Sequence, residues 1–162
     1  MNRNRAFYLV VAAVVLLDQV TKMLVSERMS LGESIPLIDR YLSLTYIRNK
    51  GIAFGLFSGG GSVKSVLLGI FSLAAVFIMI WLLTGFNRDD ALGGVAVGLV
   101  TRGALGNLVD RFRLGEVIDF VDAYWGQHHW PAFNVADSCI TVGVILLLLK
   151  LFFLERKRTG HG

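Results

Sequence analysis

Long apolar runs constrain this chain more than any other feature of its sequence. A helix needs roughly 20 apolar residues to cross a bilayer, and 54% of the 162 residues are hydrophobic whereas 17% are charged. This composition excludes a disordered chain and argues against an ordinary soluble domain. We therefore predict one all-α, polytopic membrane domain over 1–162, with transmembrane helices at approximately 6–25, 66–83, 91–109 and 138–154.

Basic residues beside these runs predict their orientation. Arg3 and Arg5 precede the first run, Arg88 lies in the short connection after the second, and 156–158 are all basic. Short flanking segments rich in Lys and Arg remain on the cytoplasmic side. Both termini are then predicted to be cytoplasmic, and the longer outer segments, approximately 26–65 and 110–137, share the opposite side.

Other features of the sequence limit the partners and cofactors. Residues 41–48 alternate at period two over β-favouring types, which predicts a short strand in the first outer segment. The net charge of +4 comes from scattered basic residues rather than one stripe, so a nucleic acid partner is not expected. Cys139 is the only cysteine, and no His or Cys cluster has metal-ligand spacing. We predict no cofactor and no metal.

Two polar groups interrupt the first apolar run. Asp18 and Lys22 are four residues apart and can meet on one face of a helix. We interpret them as a neutralised structural pair, because an unpaired charge beside hydrocarbon is costly. A proton relay is the alternative, but it would need further ionisable groups along the span.

The stretch 103–137 holds most of the remaining polar candidates. Two carboxylates that share a site can hold one proton between them, which allows one to activate water while the other polarises a carbonyl. Four aspartates give six possible pairs, and spacing does not choose among them: Asp110, Asp119, Asp122 and Asp137. Structural roles are open for three of them. Asp137 could lie in the first turn of the last helix with Asn134 as its N-cap, Asp110 could pair with Arg111, and Asp122 could be an ordinary loop residue.

Five ordered blocks of this sequence closely resemble the bacterial signal peptidase II family, the lipoprotein signal peptidases. The blocks are LDQVTK at 17–22, RNKGIAFGLF at 48–57, GALGNLVDR at 103–111, EVIDFVD at 116–122 and FNVADS at 133–138. The resemblance implies an aspartic endopeptidase of the bacterial cytoplasmic (inner) membrane, with four spanning helices, a small extracytoplasmic β-rich cradle and its active site at the outer face. One departure is Arg102, where the family usually has a small residue.

The resemblance also implies a substrate and roles for particular residues. The substrate is a diacylglyceryl-modified prolipoprotein, cut on the amino side of the lipidated cysteine; cyclic peptide antibiotics of the globomycin type and membrane lipid are the other expected partners. Asp119 and Asp137 match the catalytic pair. Positions that match polar residues around this pair are Asn49, Asn107, Arg111 and Asn134, with Asp18 and Lys22 as the structural polar pair.

Two other classes of protein are weighed against this interpretation. A small proton-coupled membrane transporter would place its charges near the midplane on several helices or in repeated halves, whereas here they cluster toward one end of the runs. A membrane scaffold without activity would explain the glycine-rich third run but not so many aspartates and asparagines together. Inhibition by a globomycin-type antibiotic would distinguish both from a peptidase.

Overall fold

The computed structural model describes residues 3–50 and 91–159 of the chain. These residues form three helices and four strands. In chain order they are α1 (Arg3–Arg28), β1 (Ser34–Ile38), β2 (Leu42–Asn49), α2 (Ala91–Leu114), β3 (Val117–Trp125), β4 (His128–His129) and α3 (Val135–Thr159).

The prediction of an all-α protein with four spanning helices is wrong. The described residues combine three helices with a four-stranded antiparallel sheet, and within them one helix, Leu92–Leu114, is long and apolar enough to cross a membrane. The predicted second span, 66–83, lies outside the described residues, and the span boundaries stay predictions. The sequence misled because the first four residues of β3 are buried on both faces of the sheet. Such a strand lacks the polar alternation that reveals a half-exposed one.

The sheet has the order β1-β2-β3-β4, with every neighbouring pair antiparallel. Strand β2 confirms the strand predicted at 41–48 to within one residue. A bulge interrupts its pairing with β3, because Leu44 pairs with Val121 whereas Ile47 pairs with Asp119. Side chains alternate between faces along a strand. The extra residue therefore brings Asn49, rather than its neighbour Arg48, to the face that carries Asp119.

Close packing of α2 against α3 depends on glycine. A Cβ atom at Gly143 would lie 2.6 Å from the Ala96 carbonyl oxygen, and one at Gly103 would collide with the Ala136 carbonyl oxygen. Absence of these side chains lets the two helix backbones approach each other. The small apolar core between them consists of Ala96, Val100 and Leu147. This approach sets the end of α2 beside the first turn of α3.

A second core attaches the sheet to the end of α1. Its buried members are Val25, Met29, Tyr46, Ile118 and Phe120. Helix α2 ends at a left-handed glycine, Gly115 with φ 74°, and β3 begins two residues later. Glycine adopts this conformation without the penalty of a Cβ atom. The end of α1, the end of α2, the start of β3 and the start of α3 consequently meet in one place.

Candidate active site

Asp119 is a carboxylate on β3 that is almost removed from solvent, with 2% of its surface exposed. Asn49 donates its Nδ2–H to Asp119 Oδ2 over 2.8 Å, and Asn134 donates its Nδ2–H to Oδ1 over 2.8 Å. Each carboxylate oxygen thus accepts a hydrogen bond from a side-chain amide. These contacts hold the carboxyl plane in one orientation and reduce the cost of burying it.

Asp137 lies in the first turn of α3 and is half-buried. Its backbone N–H donates to Asn134 Oδ1 over 3.0 Å, while its Oδ2 accepts the backbone N–H of Asn134 over 3.2 Å. This reciprocal pair is a helix N-cap, so the capping role expected for Asn134 and Asp137 is confirmed. The cap does not compete with a role for Asp137 in a site, because it fixes where this carboxylate points.

Two asparagines connect the two carboxylates. Asn107, on α2, donates its Nδ2–H to Asp137 Oδ1 over 2.8 Å. Its Oδ1 accepts an Nδ2–H of Asn134 over 3.1 Å, and the same amide nitrogen contacts Asp119 Oδ1. Asn107 and Asn134 therefore form an amide bridge between Asp137 and Asp119. The side chains that make this bridge come from α2, β3 and the segment that begins α3.

The surroundings of Asp119 raise its pKa to about 6 from an ordinary 3.8. Burial is the main cause, and the negative charge of Asp137 acts in the same direction. The amides of Asn49 and Asn134 and the positive charge of Lys22 lower the pKa and partly offset this rise. Asp119 consequently gains and loses its proton close to neutral pH, which suits general acid and base chemistry.

A buried cluster of charges underlies the amide bridge. The Lys22 Nζ lies 2.9 Å from Asp18 Oδ2 and 2.8 Å from Asp110 Oδ2, and all three side chains are buried. Lys22 also donates to Asn107 Oδ1 over 3.0 Å. The pair predicted on α1 is therefore part of a larger cluster, and Asp110 pairs with Lys22 rather than with its sequence neighbour Arg111. A cation between two carboxylates lowers the cost of burying them all.

Arg111, a predicted position, and Gln19, which was not predicted, lie at the border of this arrangement. Arg111 is half-buried at the border of the site, where its Nη1 donates to the Asn107 carbonyl over 3.4 Å. Gln19 was missed by the sequence reasoning; its Nε2 donates to Asp110 Oδ1 over 3.1 Å and to the Gly106 carbonyl over 3.3 Å. Its place beside Asp18 in a polar break of an apolar run was the signal available for it.

Asp122 lies outside this arrangement although it is three residues from Asp119. It is on the opposite face of β3, where its carboxylate contacts His129 Nδ1 over 2.9 Å. The His129 ring stacks on Tyr124 with 4.8 Å between ring centroids. His128 and His129 form the short exposed strand β4.

A cleft of about 350 Å³ opens beside Asp119. One wall is the end of β2 and the other is the segment between β4 and α3; the lining residues are Ile47, Arg48, Asn49, Lys50, Asp119, Pro131 and Ala132. The cleft therefore provides room for a peptide next to a carboxyl group that titrates near neutral pH.

Comparison with known proteins gives the class of protein first. A solved structure of a bacterial membrane enzyme has a TM-score of 0.76 and 35% sequence identity to this chain. The aligned region covers 91% of this chain and 87% of the solved chain. The chain is thus a bacterial membrane protein with the fold of that enzyme. The model of the family described as signal peptidase (SPase) II matches residues 10–153, and the chain belongs to this family.

Curated relatives support the same assignment over nearly the full length. The chain is 44% identical over 155 residues to the lipoprotein signal peptidase of Geobacter metallireducens, covering 96% of this chain and 95% of the relative. It is 46% identical over 156 residues to that of Geobacillus kaustophilus, covering 96% and 99%. The family resemblance in the sequence is confirmed. The chain is a peptidase that removes signal peptides from prolipoproteins, and the transporter interpretation is set aside.

Proposed function

We propose that this peptidase is an aspartic endopeptidase in which Asp119 and Asp137 are the catalytic pair. The observation that carries the proposal is the amide bridge, in which Asn107 and Asn134 join the two carboxylates. One of them, Asp119, lines the cleft. Asn49 and Arg111 support the pair from β2 and from the end of α2. Two carboxylates of this kind need neither a metal nor a cofactor to activate water.

The environments of the two carboxylates favour different roles. Asp119 is the more buried and has the raised pKa, so it carries the proton and donates it to the scissile carbonyl oxygen. Ionised Asp137 removes a proton from water, and the water oxygen bonds to the carbonyl carbon. The tetrahedral intermediate returns a hydroxyl proton to Asp119 as the C–N bond breaks. Asp137 gives its proton to the leaving amine, which restores both carboxyl groups.

The substrate is a prolipoprotein whose cysteine carries diacylglycerol, cut on the amino side of that cysteine. All three described helices expose large apolar side chains, among them Val20 on α1, Leu105 on α2 and Ile145 on α3. Acyl chains in contact with these surfaces would tether the scissile peptide to the membrane near the cleft. Tethering raises the effective concentration of the peptide at the catalytic pair. Cyclic peptide antibiotics of the globomycin type would compete for the cleft.

The directions of the helices support a multi-pass arrangement with both termini in the cytoplasm. The end of α1 packs on the sheet through Val25, and the first turn of α3 holds Asp137, so the start of α1 and the end of α3 are distant from the catalytic pair. The basic residues at 3, 5 and 156–158 occur at those distant ends. The sheet and the catalytic pair are then at the outer face of the bacterial cytoplasmic membrane.

A cleavage assay tests this function. Purified protein in detergent is given the diacylglyceryl-modified prolipoprotein and the same precursor without lipid, and the product is analysed by mass spectrometry. We expect cleavage before the modified cysteine in the lipidated precursor and at least about a tenfold slower reaction without lipid. Equal cleavage of both precursors would contradict the tether. Turnover by Asp119→Asn or Asp137→Asn at the wild-type rate would contradict the catalytic pair.

A further inference from the structure

Lys22 is a fully buried cation to which the proposed reaction assigns no step. Its Nζ donates to Asn107 Oδ1 over 3.0 Å, and Asn107 in turn donates to Asp137 over 2.8 Å. One side chain therefore separates Lys22 from a member of the proposed catalytic pair. Only 2% of the Lys22 surface is exposed, which makes this placement costly unless each ammonium hydrogen has a partner.

The chemistry of the ammonium group determines which way the Asn107 amide faces. An ammonium group has three donors and no acceptor, so it requires an oxygen from Asn107. With Oδ1 facing Lys22, the Nδ2 group must face Asp137, and a carboxylate requires a donor. The reversed amide would bring N–H groups against the ammonium and an oxygen against the carboxylate. Lys22 thereby selects the amide orientation that the bridge needs.

The two carboxylates that hold Lys22 also bind the backbone beside each proposed catalytic residue. Asp18 Oδ1 accepts the N–H of Ala136 over 2.9 Å, and Ala136 immediately precedes Asp137. Asp110 Oδ2 accepts the N–H of Ile118 over 3.3 Å, and Ile118 immediately precedes Asp119. Lys22 joins these two carboxylates at 2.9 and 2.8 Å.

We propose that Lys22 is a positioning residue for signal peptide cleavage, which acts through the Asn107 amide and through the carboxylates of Asp18 and Asp110. This inference rests on the proposed catalytic pair. It goes beyond a structural charge pair, because it makes Lys22 necessary for the rate in molecules that are fully folded. Small displacements of reacting groups cost as much as about 100-fold in rate.

A double-mutant cycle between Lys22 and Asn107 tests whether the lysine acts through this amide. We expect Lys22→Met and Asn107→Ala each to lower kcat by about 100-fold, with KM within about threefold of wild type. If one acts through the other, the double variant is no more than about threefold slower than the slower single variant. Multiplicative losses, or a change confined to KM, would overturn the proposal.

Two matched variants keep the test valid if Lys22→Met folds poorly. Lys22→Met leaves Asp18 and Asp110 as adjacent negative charges. The substitution is therefore also made in the Asp110→Asn variant, and its effect there is measured relative to Asp110→Asn alone. We expect the loss in kcat per folded molecule to persist in that background. Lys22→Arg keeps a cation that only donates, and it should recover at least about tenfold of the lost rate. Full activity of folded Lys22→Met in either background would contradict the inference.

The pH profile supplies a readout that an exclusively structural role would not move. The positive charge of Lys22 lowers the pKa of Asp119, together with the amides of Asn49 and Asn134, whereas burial and Asp137 raise it. Arg111, whose charge interacts with both aspartates, is unchanged in the variants. Removal of Lys22 should move the apparent pKa in the pH profile of kcat/KM to higher pH. An unchanged apparent pKa would contradict the positioning role of Lys22. Active Asp119→Asn would instead refute the catalytic pair itself.

Discussion

Asp119 and Asp122 are two aspartates on one strand, three residues apart, and their surroundings differ completely. Asp119 faces the ends of α2 and α3, has 2% of its surface exposed and accepts amide hydrogens at both oxygens. Asp122 faces β4, and its side chain, 15% exposed, contacts the ring of His129. The comparison teaches that burial and amide donors from several elements, rather than the residue type, distinguish the candidate catalytic carboxylate.

The comparison also explains why the region around Asp119 and the region around Asp122 differ in chemistry. Around Asp119, Asn49 on β2 and Asn134 before α3 donate to the carboxylate, and Asn134 is joined to Asn107 on α2, which accepts from Lys22 on α1. Around Asp122, the partner lies on a two-residue strand whose His129 side chain is 53% exposed. A pair with one partner so exposed contributes little to stability.

The largest expected effect separates the two regions by activity. Asp119→Asn and Asp137→Asn should each lower kcat by at least about 1000-fold, because each removes a group that transfers a proton. Asp122→Asn, the matched control on the same strand, should stay within about threefold of wild type. The activity of all three variants is measured as cleavage of the lipidated precursor per folded molecule. Inactive Asp122→Asn with active Asp119→Asn would reverse the comparison.

The pH dependence of stability provides the next largest effect. The pKa of Asp119 is about 6 in the folded protein and ordinarily 3.8. Between these values the folded state retains a proton that the unfolded state has lost, so the free energy of unfolding falls as pH rises from about 4 to about 6. The full shift corresponds to about 3 kcal/mol.

Asparagine at this position cannot ionise, so Asp119→Asn lacks this dependence. The unfolding midpoint of the variant, relative to wild type, should therefore increase between pH 4 and pH 7.5, which thermal unfolding in detergent would measure. Asp122→Asn serves as the control from the other region. A constant difference between Asp119→Asn and wild type across this range would show that Asp119 is not a perturbed acid.

The amide bridge predicts a smaller loss. Asn134→Ala removes the hydrogen bonds to Asp119 and Asn107 together with the N-cap of α3. We expect kcat to fall by about 10- to 100-fold and the free energy of unfolding to fall by about 1–2 kcal/mol. Ser43→Ala is the control, because it removes one hydrogen bond, to Tyr124, on the Asp122 side of the sheet. Similar losses of kcat in both variants would contradict the bridge.

The sequence predicted some of this architecture and missed the rest for identifiable physical reasons. Alternation at period two revealed β2, and the order of Asn134 and Asp137 before an apolar run revealed the cap of α3. Strand β3 was missed because its start is buried on both faces. Without the family resemblance, spacing did not choose Asp119 over Asp122, since strand faces are assigned only once the bulge in β2 sets the register.

Contacts between distant segments were the least predictable feature. Lys22 was paired correctly with Asp18, its neighbour on the helix face, whereas its contact with Asp110 joins α1 to α2. Local spacing carries no information about such a pair. The close approach of glycines on α2 and α3 to the facing backbone brings the ends of these helices together, and the sequence suggested only that close approach was possible.

The smallest expected effects concern reagents that act on other types of peptidase. Cys139→Ser should leave kcat within about twofold of wild type, and chelators should not inhibit, because two carboxylates suffice to activate water. Among the described residues no group of three His, Cys, Asp or Glu side chains is placed to hold a metal ion. Activity lost to a chelator and restored by zinc would contradict the proposed chemistry.

Direct titration of the Asp119 carboxyl group tests the central claim, that its burial and the charge of Asp137 raise its pKa from 3.8 to about 6. The protein is labelled with ¹³C at aspartate carboxyl carbons, and the Asp119 signal is identified by its absence in Asp119→Asn. We expect this carboxyl to titrate with a pKa of about 6 and its pKa to fall in Asp137→Asn, where the neighbouring charge is absent. A carboxyl that titrates near its ordinary 3.8, with the same midpoint in Asp137→Asn, would contradict the account.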